Sequence, residues 1–398
     1  MNKKVFVLAG DYGYIRQIET TLKSICYHNS DVKVYIFNQD IPQEWFVSVR
    51  EKMAYRNSEI VDIKLFGGNM RNWSLPPVGQ HINFMTFARY FIPSFVSEDI
   101  VLYLDCDLVV TRDLTDLFSI DLTNKPLAAA KIIYGLEDRF NAGVLLINNA
   151  YWKDKGIQQE LINITEREHE HLLEADQTVL NLVMGENYVL LDDTYNFQIG
   201  YDQLADSRGQ YFIFELPLTP LPAIIHYLSV DKPWNTYSVG RLREVWWKYN
   251  QLEWSQINSQ EELVVKKAKY QALIITGSQQ LEQIDYLIKH LPEYDIHILT
   301  FTDMGEILRS LASYENIKLH PTVMRWMCRK MIEECDVYLD INHEFKFPDV
   351  LEWVQEAKKT ILAFDNVANP YHVDQVFPHD NPQAMIDFLK ELQTKDCL

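Results

Sequence analysis

The chain has 398 residues, 47% of them hydrophobic and 13% aromatic, which marks an ordinary globular protein long enough for two domains with separate cores. A net charge of −19 excludes general affinity for nucleic acid or for anionic membrane surfaces, since neither would attract it. The five cysteines, at 26, 106, 328, 335 and 397, are odd in number and unpatterned, which favours a reducing compartment over a disulfide framework.

In chain order, Lys3-Lys4 and the apolar run 5–9 imitate a short signal peptide. The run stops at Gly10-Asp11, and no small-residue cleavage site follows it, so residues 5–9 read as a first buried strand. No stretch approaches the roughly 20 apolar residues that span a bilayer. The expectation is a soluble, cytoplasmic protein with no stable membrane insertion. Behind a polar turn, Ile15, Ile18, Leu22 and Ile25 recur at helical spacing, and strands follow at 32–37, 60–65 and 100–103. This alternation predicts a mostly parallel sheet with helices on both faces. A polar stretch, Ser255-Gln-Ile-Asn-Ser-Gln-Glu-Glu262, then precedes a second series of short strands at 272–276, 296–301, 317–320, 337–341 and 360–364. Between them lies helical periodicity, as in Leu281, Ile284, Leu287 and Ile288. The reading is a first domain over 1–254 and a smaller, five-stranded parallel α/β domain over 255–398.

The most informative stretch is Val101-Leu-Tyr-Leu-Asp105-Cys-Asp107-Leu-Val-Val110. Two carboxylates interrupt a run of strand formers, and a buried carboxylate must be paired, metal-bound or protonated. In an extended chain Asp105 and Asp107 share one side and Cys106 takes the other. Two hard oxygen ligands suit Mg²⁺ or Mn²⁺ bridging to a substrate phosphate. Asp11 follows the first strand, so two acidic clusters arrive at the carboxyl edge of one sheet, where parallel sheets bind ligands.

Other polar groups sit where elements end. Tyr12 and Tyr14 flank Asp11, and aromatic rings beside an acceptor suit a flat heterocycle. Arg89, in the apolar helical segment Phe84-Met-Thr-Phe-Ala-Arg89-Tyr-Phe, needs a carboxylate or phosphate partner. Asn141-Ala-Gly143 precedes an apolar strand at 144–147, and Gly143 would allow close backbone approach. Asp176-Gln177 opens the apolar segment 178–183, and His226-Tyr-Leu-Ser-Val-Asp-Lys232-Pro-Trp234 closes the series.

In this order the motifs resemble the family 8 glycosyltransferases, retaining enzymes with the nucleotide-sugar-binding fold called GT-A. Six motifs over roughly 3–254 carry the resemblance: Ala9-Gly-Asp11-Tyr-Gly-Tyr14, His81 to Arg89, Asp105-Cys-Asp107, Phe140-Asn-Ala-Gly143, Asp176-Gln177 and His226 to Trp234. It implies Asp105, Asp107 and His226 as ligands of Mn²⁺, with Mg²⁺ the alternative. It also implies that Asp11 and Tyr14 hold the uracil of a UDP-sugar and that Lys232 contacts the diphosphate. Arg89, Asn141 and Asp176 would surround the donor sugar, and Ala9 and Cys106 complete the donor-binding set. Gln177 would lie where a conventional nucleophile sits, with Asp176 as a charge stabiliser. One departure from the family is that a glycine common between the metal histidine and the lysine is replaced near Ser229.

The resemblance implies transfer of galactose or glucose from a UDP-hexose to an acceptor hydroxyl. The two-domain layout is similar to that of the glycosyltransferases that extend O-glycans on serine-rich repeat adhesins of Gram-positive bacteria, which implies a glycan or glycoprotein acceptor. Residues 389–398 are mixed in charge and lack aromatics, so a membrane-bound acceptor is disfavoured. The rival readings are a non-catalytic sugar- or nucleotide-binding module and a metal-dependent nucleotidyltransferase, for which no glycine- and arginine-rich loop follows the first strand. His169-Glu-His171 lacks the one-turn spacing of zinc-binding helices. In the second domain, Asp336-Val-Tyr-Leu-Asp340-Ile-Asn342 echoes the acidic box without its downstream partners, and residues 343–348 form a loop at strand ends that could touch a ligand.

Overall fold

The computed structural model describes residues 3–65, 68, 72–75, 83–134, 138–209, 220–235, 240–259, 270–370 and 372–395. Its contacts divide the chain into two compact units, residues 1–262 and 263–398.

The strands of the first unit are β1 (Lys4–Ala9), β2 (Val32–Asn38), β3 (Glu59–Lys64), β4 (Ile100–Leu104), β5 (Leu108–Val110), β6 (Leu127–Lys131), β7 (Phe140–Asn148), β8 (Val189–Leu190), β9 (Phe197–Ile199) and β10 (Ile224–Tyr227). Seven of them form one sheet in the order β3-β2-β1-β4-β7-β6-β8. It is mostly parallel, with β7 antiparallel to both β4 and β6. Val5, Phe6, Val7 and Leu8 are all buried, as expected of a central strand covered on both faces. The helix Ile15–His28 buries Ile18, Leu22 and Ile25 at the spacing read from the sequence.

A second sheet, β5-β10-β9, was not foreseen. The apolar run 101–110 is two strands in two different sheets, and Asp105 and Asp107 lie in the joint between them. Asp105 still belongs to the large sheet through its amide, which donates to the Gly143 carbonyl at 2.9 Å, while the Asp107 carbonyl accepts from the Tyr227 amide of β10 at 2.9 Å. Asn141-Ala-Gly143 does not precede its strand but lies inside β7, because apolar residues continue to Phe140 on both sides of the asparagine.

The polar stretch from 255 is not a separator along its whole length. Trp254–Ser259 is a helix of the first unit, with Trp254 and Ile257 buried and the Trp254 indole donating to Glu19 Oε1 at 3.1 Å. Residues 260–262, and the His81 that opens one of the sequence motifs, lie outside the described residues.

Among the described residues the second unit has six strands rather than five: β11 (Tyr270–Ile275), β12 (Tyr294–Leu299), β13 (Ile317–His320), β14 (Val337–Leu339), β15 (Thr360–Phe364) and β16 (Gln375–Phe377). The sixth escaped detection because it is three residues long and two of them are exposed. All pair in parallel in the order β13-β12-β11-β14-β15-β16, the Rossmann arrangement with its switch point between β11 and β14. Protein groups crowd the end of β11, where a Cβ at Gly277 would lie 2.8 Å from Phe345 Cβ and 3.2 Å from Phe347 Cζ. Asp340 is buried and takes Lys346 Nζ at 2.6 Å, which answers its charge without a metal. His169 likewise has a protein partner, its Nδ1 accepting from the Ser74 amide at 3.0 Å.

Replacing Lys346 by Met would strand the Asp340 carboxylate in the interior. Urea unfolding should show the second unit destabilised by about 3 kcal/mol, most of it recovered when Asp340→Leu is added. An unchanged midpoint in the single variant would remove Lys346 as the counter-ion.

Candidate active site

At the carboxyl end of β4 three carboxylates meet two fixed cations and a histidine. Arg89, on the 3-10 helix Phe84–Phe91, is buried and sends Nη2 to Asp105 Oδ1 at 2.9 Å and Nε to within 3.0 Å of Asp176 Oδ2. Nη1 donates to the Ala142 carbonyl, and the guanidinium lies 4.2 Å from the centre of the Tyr103 ring. Tyr103 also donates its hydroxyl to Asp105 Oδ1 at 3.0 Å. The expectation of a carboxylate partner for Arg89 is met twice over. Burial opposes its charge, but Asp105 and Asp176 outweigh burial and raise its pKa. Burial lifts the Asp176 carboxyl to about 6, with Arg89 and the Thr86 hydroxyl pulling it down.

His226 reaches Asp107 because β10 runs antiparallel to β5 with His226 opposite Leu108. Its Nε2 lies 3.1 Å from Asp107 Oδ1 and 3.9 Å from Asp105 Oδ2. Its Nδ1 lies 3.0 Å from Asn196 Oδ1, an acceptor, so Nδ1 carries a proton while Nε2 faces the carboxylates. Lys232 Nζ donates to Asp107 Oδ2 at 2.7 Å and to the Tyr227 carbonyl at 2.6 Å. Burial disfavours the Asp107 charge, yet Lys232 and His226 hold its carboxyl far below the usual range.

A hydrogen-bond relay links the histidine to Gln177. Asn196 Nδ2 donates to Asn141 Oδ1 at 2.9 Å, and Asn141 Nδ2 donates to Gln177 Oε1 at 3.2 Å. The Ala142 amide donates to the same Gln177 oxygen at 2.9 Å. Both acceptor directions of that oxygen are therefore engaged.

A cavity of about 710 Å³ is lined by Ala9, Tyr14, Arg89, Asp105, Cys106, Asp107, Asn141, Asp176, Gln177, His226 and Lys232. Asp11 stands beside this wall, its Oδ2 accepting from Asn83 Nδ2 at 2.6 Å, and Tyr12 points to solvent. Tyr14 meets Trp234 edge to face at 6.4 Å, and burial followed by the charge of Asp107 pushes its hydroxyl to about 12. Cys106 donates to the Ala9 carbonyl at 3.2 Å, and burial with Asp105 and Asp107 keeps it a neutral thiol. Ser229 takes a φ of 67°, a left-handed backbone that favours glycine, at a cost of about 1–2 kcal/mol.

Sequence reasoning missed Tyr103, Asn196, Thr86 and Asn83. Tyr103 was within reach, since period-two alternation puts it on the same side as Asp105. Asn196 left no such signal: it is a fully buried amide in a short turn, and its value lies in contacts distant in sequence.

Among the described residues, Asp105, Asp107 and His226 form a group whose ligand atoms all lie within 4.8 Å of one another. Octahedral bonds of about 2.1 Å place neighbouring ligand atoms about 3 Å apart, close to the His226–Asp107 separation. Gly143 makes the room, since a Cβ there would lie 2.1 Å from His226 Cε1 and 2.8 Å from Asp105 Oδ2. Two carboxylates and one imidazole fit a divalent cation.

Residues 5–238 match the family described as glycosyl transferase family 8, and residues 272–397 match the GftB/GlyA-F C-terminal domain. Glycosyltransferase GlyE of Streptococcus pneumoniae is 47% identical over 400 residues, covering 96% of this chain and 97% of that protein. Its crystal structure aligns with a TM-score of 0.58 at 45% identity, covering 98% of this chain and 99% of that one. The galactosyltransferase LgtC, solved with donor and acceptor sugar analogs, is similar in fold, with a TM-score of 0.51 at 22% identity over 66% of this chain and 97% of that one.

A methyl group at Gly143 would have to displace His226 or Asp105. Gly143→Ala should lower divalent-cation affinity at least about tenfold and cost about 1–3 kcal/mol of stability. Titration calorimetry with Mn²⁺ and thermal unfolding check both. Unaltered metal affinity would mean the two ligands do not act together.

Proposed function

The chain belongs to glycosyltransferase family 8, joining a GT-A unit to a smaller Rossmann-like parallel α/β unit, and from that premise we propose that it moves galactose or glucose from a UDP-sugar to an acceptor hydroxyl with retention of configuration. The observation that carries this reading is the Asp105, Asp107 and His226 cluster, closed by Lys232, in the wall of one cavity with Arg89, Asp176 and Gln177.

A divalent cation held by Asp105, Asp107 and His226, Mn²⁺ by preference, would supply positive charge beside the departing diphosphate, where negative charge builds. Lys232 adds a second positive group there, and such fixed charges are usually the largest catalytic term. Arg89 holds Asp105 and Asp176 in place, so that Asp176 can face positive charge developing on the sugar. Gln177 is a poor nucleophile, and its oxygen already accepts two N–H bonds, which argues against a covalent intermediate on it. The acceptor hydroxyl then attacks from the side the diphosphate leaves. Its oxygen bonds to the anomeric carbon as the sugar–phosphate bond breaks, and its proton passes to the departing phosphate.

The acceptor we propose is a glycan on a glycoprotein, which the two-unit layout shared with GlyE supports. A cytoplasmic setting is supported by four buried free thiols, at Cys26, Cys106, Cys328 and Cys335. No helix among the described residues is long and apolar enough to cross a membrane.

The deciding assay is UDP release from a panel of UDP-sugars. Release should occur with one UDP-hexose and Mn²⁺, vanish with EDTA, and fall at least about 100-fold in Asp107→Asn. Tight UDP binding without turnover on any sugar would favour a binding module instead. Lys232 allows a second test of the same site. Lys232→Met should bind UDP more weakly, yet bind Mn²⁺ several-fold more tightly when no nucleotide is present, because the ammonium no longer neutralises Asp107. Weakening of both together would contradict separate roles for lysine and metal ligands.

A further inference from the structure

The cavity continues outward past the carboxylates, and its outer half has a different chemistry. Tyr134, Arg139, Leu173, Glu174, Tyr201 and Arg208 line it there. Leu173 is 83% exposed and Tyr201 is 42% exposed, so two large apolar side chains face water at the mouth of a charged site. Exposed apolar groups rimmed by polar ones mark binding surfaces.

The Tyr201 ring rests on a firm base. It meets the buried Tyr134 ring edge to face at 5.4 Å. The Tyr134 hydroxyl donates to the Gln198 carbonyl at 2.6 Å and reaches Asp202 Oδ1 at 3.2 Å. Asp202 is in turn clamped by Arg241 through two bonds of 2.6 and 2.9 Å. A ring held this way loses little freedom when a ligand stacks on it.

One pair of charges in this half is already matched. Arg139 Nη1 lies 2.5 Å from Glu174 Oε2, while the exposed Arg208 donates to the neutral Tyr134 carbonyl. A charged group engaging either member would have to separate the Arg139–Glu174 pair. A neutral polyol could accept from the arginine and donate to the carboxylate without doing so. Ala175 connects the two halves: its φ of 47° turns the chain so that Leu173 and Glu174 stand at the mouth, while the buried Asp176 opens the helix Ala175–Met184 inside.

Building on the transferase reading, we propose that this outer half binds the acceptor as a neutral pyranose. The C–H face of the sugar lies against Tyr201 and Leu173, and its hydroxyls meet the Arg139–Glu174 pair. These residues, rather than the carboxylate cluster, set acceptor specificity.

The test is steady-state kinetics of UDP release by the full chain with Mn²⁺, a UDP-hexose and three probes: p-nitrophenyl β-glucoside, p-nitrophenyl β-N-acetylglucosaminide and p-nitrophenyl β-glucuronide. At least one neutral glycoside should stimulate release, and the anionic glucuronide should be worse by at least about tenfold. Tyr201→Ala should raise the KM for the glycoside about tenfold, while the donor KM changes less than about twofold. Tyr201→Phe keeps the ring and should restore the acceptor KM, which separates stacking from misfolding. Leu173→Ser, at an exposed position, should raise the same KM. Equal use of the glucuronide, no stimulation by either neutral glycoside, or wild-type acceptor KM in Tyr201→Ala and Leu173→Ser would overturn the proposal. Absence of UDP release from every donor in the wild type would instead sink the transferase reading on which it rests.

Discussion

Three carboxylates cannot be brought together in a largely buried cleft unless their charge is answered locally. That requirement organises the first unit. Arg89 answers Asp105 and Asp176 from below, and Lys232 with His226 answers Asp107 from the side. Each cation is itself tied to backbone carbonyls, Arg89 to Ala142 and Lys232 to Tyr227. The cluster therefore has a fixed geometry before any ligand arrives, and electrostatic catalysis depends on that kind of preorganisation.

The fold achieves this by ending one sheet and starting another within three residues. Asp105 finishes the large sheet against Gly143, and Asp107 begins the small one against Tyr227. The side chains between the sheets are joined by amides rather than by charge, through the relay from His226 to Asn196, Asn141 and Gln177. Amides suit this task because each can donate and accept at once without adding charge to a crowded site. The relay also couples the candidate metal ligand to Gln177 in the wall of the same cavity, so a disturbance at either end is felt at the other.

The second unit applies the same rule of local neutrality to a different result. It carries the strand order of a dinucleotide-binding fold, but Phe345 and Phe347 pack over the end of its first strand, and Lys346 satisfies the acidic residue beyond its fourth. Fold and site are separable here: an acidic strand end becomes a structural ion pair where a lysine lies six residues on.

Much of this protein was legible in its sequence because the signals were local. Apolar runs at 5–9 and 32–37 specify buried strands wherever they occur, helical spacing marks Ile15 to Ile25, and two aspartates two residues apart demand a compensating partner in any fold. The family resemblance added order to motifs that are weak singly. What local pattern could not supply was register and sheet membership. Nothing in residues 101–110 says that the strand changes sheets between Leu104 and Leu108, and the three residues of β16 carry too little periodicity to be seen. Asn196 shows the limit most plainly, since its role comes from lying between His226 and Asn141, thirty and fifty-five residues away in sequence. By itself the sequence determined which residues had to be buried and which charges had to be answered. The tertiary structure alone decided which group answers each charge, because a hydrogen bond or ion pair depends on ångström-scale distances that sequence separation does not encode.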